Sequence, residues 1–313
     1  MGLGECILLN RLKNLVLKGA YRLAPFSLAG DGWFSAERDE GIKVSCVINF
    51  YGRLDLLGGI LHSLAAQDYP RQDFEVILVE DQGGTEAGRW FCESFSDRLN
   101  IRYWPLDKNF CQMGYSRNLG LAQTVGEYVL FLDDDTVILQ KDFLSCLKQA
   151  FVQNPEADAF MPRGNAGFAE WPGGYDFHDP HFPTSRCTAY RRQVLEELGG
   201  FMNCFVGQED VEFVIRFTLC GKVALPLPGL NYFHPPLLVP NYKKPFAVGL
   251  SFARLRGRYS TPMLWLSALN CSRHAPLLFS WQRRHREMGR FGIGFFRGFI
   301  KGWFSPQSEA RYG

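Results

Sequence analysis

With 313 residues, 46% hydrophobic and 21% charged, the chain is long enough for one large α/β domain with an appendage and too apolar for a disordered protein. A net charge of +2 gives no reason to expect a general polyanion partner. The charge is uneven: Ser251 to Gly313 holds eleven Lys/Arg against Glu287 and Glu309, so this segment carries +9 and the rest, by difference from +2, carries −7.

Nine cysteines, with no Cys-x-x-Cys pair, point to reduced thiols in a cytosolic protein rather than a disulfide framework or a zinc site. No apolar run reaches the roughly 18 residues of a spanning helix. Arg11, Lys13 and Lys18 interrupt any signal-peptide core. Met1-Gly2 resembles a myristoylation start, but Cys6 stands where Ser or Thr is needed.

Residues 6 to 22 read as an amphipathic basic helix with Leu8, Leu12, Leu15 and Val16 on one face. Residues 1–40 are expected to be this segment and a linker, with a catalytic domain over 41–240 and a basic, aromatic helical extension over 241–313. Val44 to Phe50 is a predicted buried strand, and Leu57, Ile60, Leu61 and Leu64 mark a helix face that Asp68-Tyr69-Pro70 ends. Phe74 to Val79 and Ile101 to Trp104 read as further strands, and Gly114 to Ala122 as a helix. This alternation predicts βαβ units and a parallel sheet. After Asp135 come a helix through Phe143 and Phe151 and a strand from Ala157 to Met161. Residues 163–186 are long and aperiodic, as a substrate loop would be. Gln193 to Leu198 and Glu209 to Leu219 read as helices, and Val223 to Leu227 as a last strand.

The run Tyr128 to Leu132 is apolar without alternation, as a strand buried on both faces requires, and leads into Asp133-Asp134-Asp135. In extended chain Asp133 and Asp135 point the same way and Asp134 away. Two readings fit these residues: a divalent-cation site at a sheet edge, or an acidic turn that only caps the helix after Asp142. Asp81 follows the second strand, and Glu209-Asp210 opens a helix. A carboxylate beyond the second strand suits a nucleoside, a pair beyond a later strand a metal on a diphosphate, and one at a helix start a proton acceptor.

Residues from about 43 to 235 resemble the family 2 glycosyltransferases of the GT-A fold. The matching stretches are Val44 to Ile48, Ser63 to Pro70, Phe74 to Asp81, Ser116-Arg117-Asn118-Leu119-Gly120, Gly126 to Asp135, Gly199-Gly200-Phe201 and Gly207 to Phe213. The resemblance implies an α/β GT-A fold, a Rossmann-like, mostly parallel sheet flanked by helices. It implies an inverting, metal-assisted transfer of a sugar from a nucleotide donor, usually UDP-linked, to a glycan or lipid-linked hydroxyl. Asp210 would be the general base. Asp133 and Asp135 would hold Mn²⁺ or Mg²⁺, with His234 a further ligand. Asp81, Tyr51, Arg117, Asn118 and Asp134 would contact the donor. Glu209 and, in the aperiodic loop, Trp171 and His181 are acceptor-side candidates, with His178 and Asp179 beside them. Asn49-Phe50-Tyr51-Gly52 and Glu80-Asp81-Gln82-Gly83 depart from the family pattern at the nucleotide pocket, and Met202 replaces the usual Asp after Gly-Gly-Phe.

Phe291, Phe295, Phe299 and Trp303 form a helical row opposite Arg290, Arg297 and Lys301. Two readings fit: a peripheral membrane contact through 281–304 on the cytoplasmic face, or a helix packed on the body. The segregation of aromatic and basic residues speaks against nucleic acid. Other functions with the same residues are a polyprenyl-phosphate glycosyl synthase and a non-catalytic sugar-nucleotide-binding module. A nucleotidyltransferase would require a Gly-rich loop after the first strand, and Asn49 to Arg53 holds one Gly.

Overall fold

Val44–Phe50 carries apolar side chains on both faces, and the strand it forms, β1, is buried along its whole length. It lies inside a computed structural model that describes residues 14–81, 84–166, 186–235 and 241–305. Helix α1 (14–23) precedes β1. There follow α2 (Leu54–Ala65), β2 (Phe74–Glu80), α3 (Glu86–Phe95), β3 (Ile101–Pro105), α4 (Met113–Ala122) and β4 (Tyr128–Asp133). Next come α5 (Phe143–Gln153), β5 (Ala159–Ala166), β6 (Cys187–Arg191), α6 (Arg192–Glu197), α7 (Glu209–Leu219) and β7 (Ala224–His234). Helices α8 (Lys243–Ala253), α9 (Thr261–Ser272) and α10 (Arg283–Phe304) complete the described chain.

The strands form one sheet in the order β3-β2-β1-β4-β6-β5-β7. β3, β2, β1 and β4 pair in parallel, β6 is antiparallel to both its neighbours, and β5 pairs with β7 in parallel. Within the described residues the predicted strands and helices are present. The last strand runs on to His234, because a register shift after Pro162 lets it continue alongside Arg163–Ala166. Up to β7, two elements escaped the periodicity: α3, whose buried residues are Gly88, Cys92 and Phe95, and the short β6.

Alternating strand residues feed two cores. Val44, Cys46, Ile48 and Phe50 pack with α2 and α5 on one face. Val47, Val129 and Phe131 pack with α6 and α7 on the other. A third core joins α8, α9 and α10 to Met202, Phe205 and the outer side of α7.

The stretch read as a linker is tied to the body. Gly30 and Gly32 donate to Leu198 and Gly199 carbonyls at 2.8 and 2.7 Å, and Ala36 donates to Ala122 at 3.2 Å. Gly199 and Gly200 both adopt positive φ there, 65° and 59°, which a side chain resists. Leu15 and Val16 are exposed, whereas Leu17, Ala20 and Tyr21 dock on the third core, so the inward face of α1 is not the face expected. One ionic joint holds the layers together. Fully buried Arg216 donates to Glu212 at 2.6 and 2.9 Å and to the Leu198 and Gly200 carbonyls at 2.6 and 2.7 Å. Tyr259, from the α8–α9 connection, donates to the same Glu212 at 2.5 Å.

The aromatic row of α10 faces inward. Phe295 and Phe299 have no exposed surface, and Phe291 and Trp303 pack against the same core. This corrects the membrane reading of that row: Phe252 and Trp265 already cover it. The α10 glycines, poor helix formers, serve close approach. A Cβ at Gly298 would lie 1.9 Å from the Phe246 carbonyl oxygen, and one at Gly249 of α8 would lie 2.0 Å from that of Phe295. The helix forms because it packs, not because of its propensity.

The described cysteines are all free thiols. No helix among the described residues is long and apolar enough to cross a membrane.

Candidate active site

β1, β2 and β4 end level with one another: Asn49 pairs with Val79 on one side and Asp133 on the other. Asp81, just past β2, and Asp133, the last residue of β4, therefore emerge at one sheet edge. Asp81 accepts from the Cys111 amide at 3.0 and 2.9 Å, and its own amide donates to Phe50 at 2.9 Å. Cys111 and nearby Asn109 adopt positive φ, 58° and 54°.

β7 reaches the same edge. Because β6 runs against both β4 and β5, β5 and β7 run in the direction of β4. Val137 and Phe233 then exchange backbone hydrogen bonds of 2.9 and 2.8 Å, which fixes His234 beside the turn that carries Asp135. His234 Nε2 lies 3.0 Å from Asp135 Oδ1 and 3.4 Å from Asp133 Oδ2. The potential ligand atoms of Asp133, Asp135 and His234 fall within 4.8 Å of one another. Asp135 Oδ1 is buried with no well-aligned hydrogen-bond donor. Two carboxylates and an imidazole, gathered at a sheet edge, fit a divalent cation.

Charge shapes this cluster. Burial alone would raise Asp133, but the His234 contact and the charges of Arg117 and Arg186 hold it well below the usual carboxylate range. Burial also opposes ionisation of Asp135, and His234 and Arg53 keep it below its ordinary value. Burial would lower His234, yet the two aspartates raise it to about 9. Asp134 is different. Burial pushes it up to about 7, with Arg53 opposing and Asp135 and Asp133 adding to the rise. Arg53 grips Asp134 and, at 2.7 Å, Asp135 Oδ2. The Asp134 carboxyl is thus engaged by Arg53.

Arg117 links this cluster to α7. It is almost fully buried, donates to Asp133 Oδ1 at 2.9 Å and to Glu209 Oε1 at 2.6 Å, and stacks over Phe131 at 5.7 Å. Burial lifts Glu209 to about 7, and the Arg117 charge counters this. Asp210 is half-buried at the same helix start and acts electrostatically on Arg117. Gln208, the residue before, sits at φ 59° with its buried amide oxygen unpaired.

Of the residues predicted from sequence, Glu209, Arg117, Asp133, His234 and Asp135 form one chain of contacts in that order, with Asp210 adjoining and Asp81 on the same edge. Tyr51 is exposed beside Arg53. Asn118 has no exposed surface, and its amide is spent on Phe201 and Asn203 at 2.8–2.9 Å, so it shapes the Gly-Gly-Phe turn instead of contacting a donor. Trp171, His178, Asp179 and His181 lie outside the described residues. Arg53 and Arg186 escaped the sequence reading. The one signal for Arg53 was its place, a cation just past the first strand at the acidic edge.

This sheet order and edge cluster define a glycosyltransferase of the GT-A fold. The chain belongs to glycosyl transferase family 2, whose model matches residues 45–204. It is 31% identical over 120 residues to poly(ribitol-phosphate) beta-N-acetylglucosaminyltransferase TarS of Staphylococcus aureus, covering 38% of this chain and 20% of that protein. It is also 31% identical over 211 residues to O-antigen biosynthesis protein RfbC of Myxococcus xanthus, covering 57% and 16%. The chain thus spans a fifth or less of these two relatives. Two solved structures share the fold. TarS residues 1–349 with UDP-GlcNAc superposes with a TM-score of 0.58 at 20% identity, covering 84% of this chain and 73% of the other. The mannosyltransferase PcManGT of Pyrobaculum calidifontis, with GDP-Man and Mn²⁺, gives 0.59 at 15% identity and 97% of both chains.

Proposed function

We propose that the chain transfers a sugar from a UDP-linked donor to a hydroxyl of a glycan or lipid-linked polymer, with inversion at the anomeric carbon. The observation that carries this is the Arg117 bridge, which joins the Asp133–Asp135–His234 cluster to the helix start that bears Asp210. The UDP-GlcNAc complex of TarS favours a uridine donor, while the GDP-Man complex of PcManGT supports the metal. Asp81, whose carboxylate lies beyond β2, would accept hydrogen bonds from the nucleoside, with Tyr51 beside it.

A divalent cation on Asp133, Asp135 and His234 would supply charge stabilisation to the departing diphosphate. Asp210 takes the proton from the acceptor hydroxyl as its oxygen forms the new bond to the anomeric carbon. The bond from that carbon to the diphosphate breaks, and its electron pair leaves with the nucleotide. One base and one displacement invert the centre without a covalent intermediate, unlike retaining glycoside hydrolysis. Arg117 holds Glu209 and Asp133 in register and acts as a positioning residue.

The test is nucleoside diphosphate release from a panel of nucleotide sugars with Mn²⁺ and a polyol-phosphate, glycan or polyprenyl-phosphate acceptor. Asp210→Asn is expected to lower turnover by about 10²–10⁴-fold while donor binding by calorimetry persists. Unchanged turnover would remove Asp210 as the base. Donor binding without release for any acceptor would favour the non-catalytic binding module, and release only with the polyprenyl phosphate would favour the glycosyl synthase.

A further inference from the structure

The aromatic row of α10 is covered by the body, but the segment leading into that helix is not. Phe279 is 86% exposed and Trp281 97% exposed. Few large apolar residues in a folded chain stand so far out, and here two stand almost side by side. Immediately before them, Leu266 and Leu269 are exposed on α9, and exposed Arg273 follows at a spacing that keeps it on the same stripe.

The tip is built. Arg286 donates to the Ser280 and Trp281 carbonyls at 3.2 and 2.6 Å, and the Ser280 hydroxyl contacts His285 at 3.0 Å. The 3-10 turn Ala275–Phe279 lies against α10 at backbone distance, because a Cβ at Gly289 would meet the Leu278 amide nitrogen at 2.2 Å. The backbone beneath the two aromatic side chains is therefore braced, and they are held outward.

The surroundings are cationic. From Asn270 to Arg290 the sequence carries Arg273, Arg283, Arg284, Arg286 and Arg290 against Glu287 alone. Arg283 is exposed beside Trp281. An apolar tip flanked in sequence by basic residues, with Arg273 and Arg283 exposed, matches a surface that is apolar beneath and anionic on top, where Trp prefers to sit and basic side chains add attraction. The stem of the tip adjoins α7: Cys271, at the end of α9, packs in the same core as Val211 and Ile215.

We propose that Phe279 and Trp281, with the arginines around them, form a docking surface for an anionic lipid bilayer. The surface stands on exposure, bracing and charge, independently of the donor and acceptor. Its test uses the full chain and vesicles without any sugar nucleotide, so it fails or succeeds apart from the catalytic reading. The protein is sedimented with phosphatidylglycerol-containing or pure phosphatidylcholine vesicles. Binding is expected to the anionic vesicles, to weaken with added salt, and to fall by about tenfold or more in Phe279→Ser/Trp281→Ser. The melting temperature of this variant is expected to match the wild type, since neither side chain is packed. Vesicle binding that the double variant leaves undiminished would overturn the proposal, as would no binding by the wild type. A concentration-dependent dimer that the variant abolishes, with no vesicle binding, would reassign the surface to a second copy of the chain.

Discussion

The parallel half of the sheet and the α8–α10 layer are both well packed, but the helical layer adds a backbone seam to its side-chain core. In the sheet half large side chains fill the space: Phe131 lies edge-on to Phe201 at 5.2 Å and near Tyr190 at 6.2 Å. In the helical layer Phe252, Phe295 and Phe299 interlock as well, but α8 and α10 also meet backbone to backbone, and Gly249 and Gly298 make the room. The seam between α8 and α10 is therefore sensitive to added atoms at these two positions. The difference also divides function, since strand ends can deliver carboxylates to a rim while helix faces brought together by glycines can only be held.

The joint between the two regions gives the largest expected effect. Arg216→Ala strands Glu212 as a buried, unpaired charge and should cost about 3–5 kcal/mol in urea unfolding. Phe131→Ala, which opens the sheet core, is expected to cost about 3–5 kcal/mol, and Gly298→Ala about 1–3 kcal/mol although it only adds a methyl group. A Gly298→Ala protein as stable as wild type would break the comparison. His234 titrates at the rim. In protein freed of metal by a chelator, its raised pKa contributes stability that is full below its ordinary 6.5 and is lost as pH rises through about 9. The melting temperature should fall across that window, by up to about 1.4 kcal/mol of stability per pH unit, and His234→Gln should flatten the fall. Since a cation requires the neutral imidazole, Mn²⁺ should bind more tightly as pH rises across the same window. The smallest effect is a gain: Gln208→Gly relieves a left-handed φ and a buried unpaired amide oxygen, for about 1 kcal/mol of stability by thermal melting.

β1, β2, β4 and α7 were legible because unbroken apolar runs or a clear helical period mark them, and the acidic residues at their ends marked the rim where the candidate metal ligands gather. β6 was not, since its few residues join an aperiodic loop and gain meaning only between two partners. Arg53 and the Arg117–Glu209 contact depend on chain segments far apart in sequence. The α10 row shows the limit most plainly. An amphipathic pattern says that one face will be covered but not by what, and glycines that weaken a helix in isolation are what let this one dock.

Cys187–Arg191 carries none of the proposed chemistry, yet it decides where the chemistry happens. Direction along a sheet behaves as a parity. One reversal between β4 and β7 would send His234 out at the far rim, a strand's length from Asp133. The second reversal, on the other side of β6, restores the sign. The cluster thus rests on an even number of turns, and the shortest way to keep that number even is one strand that runs backwards.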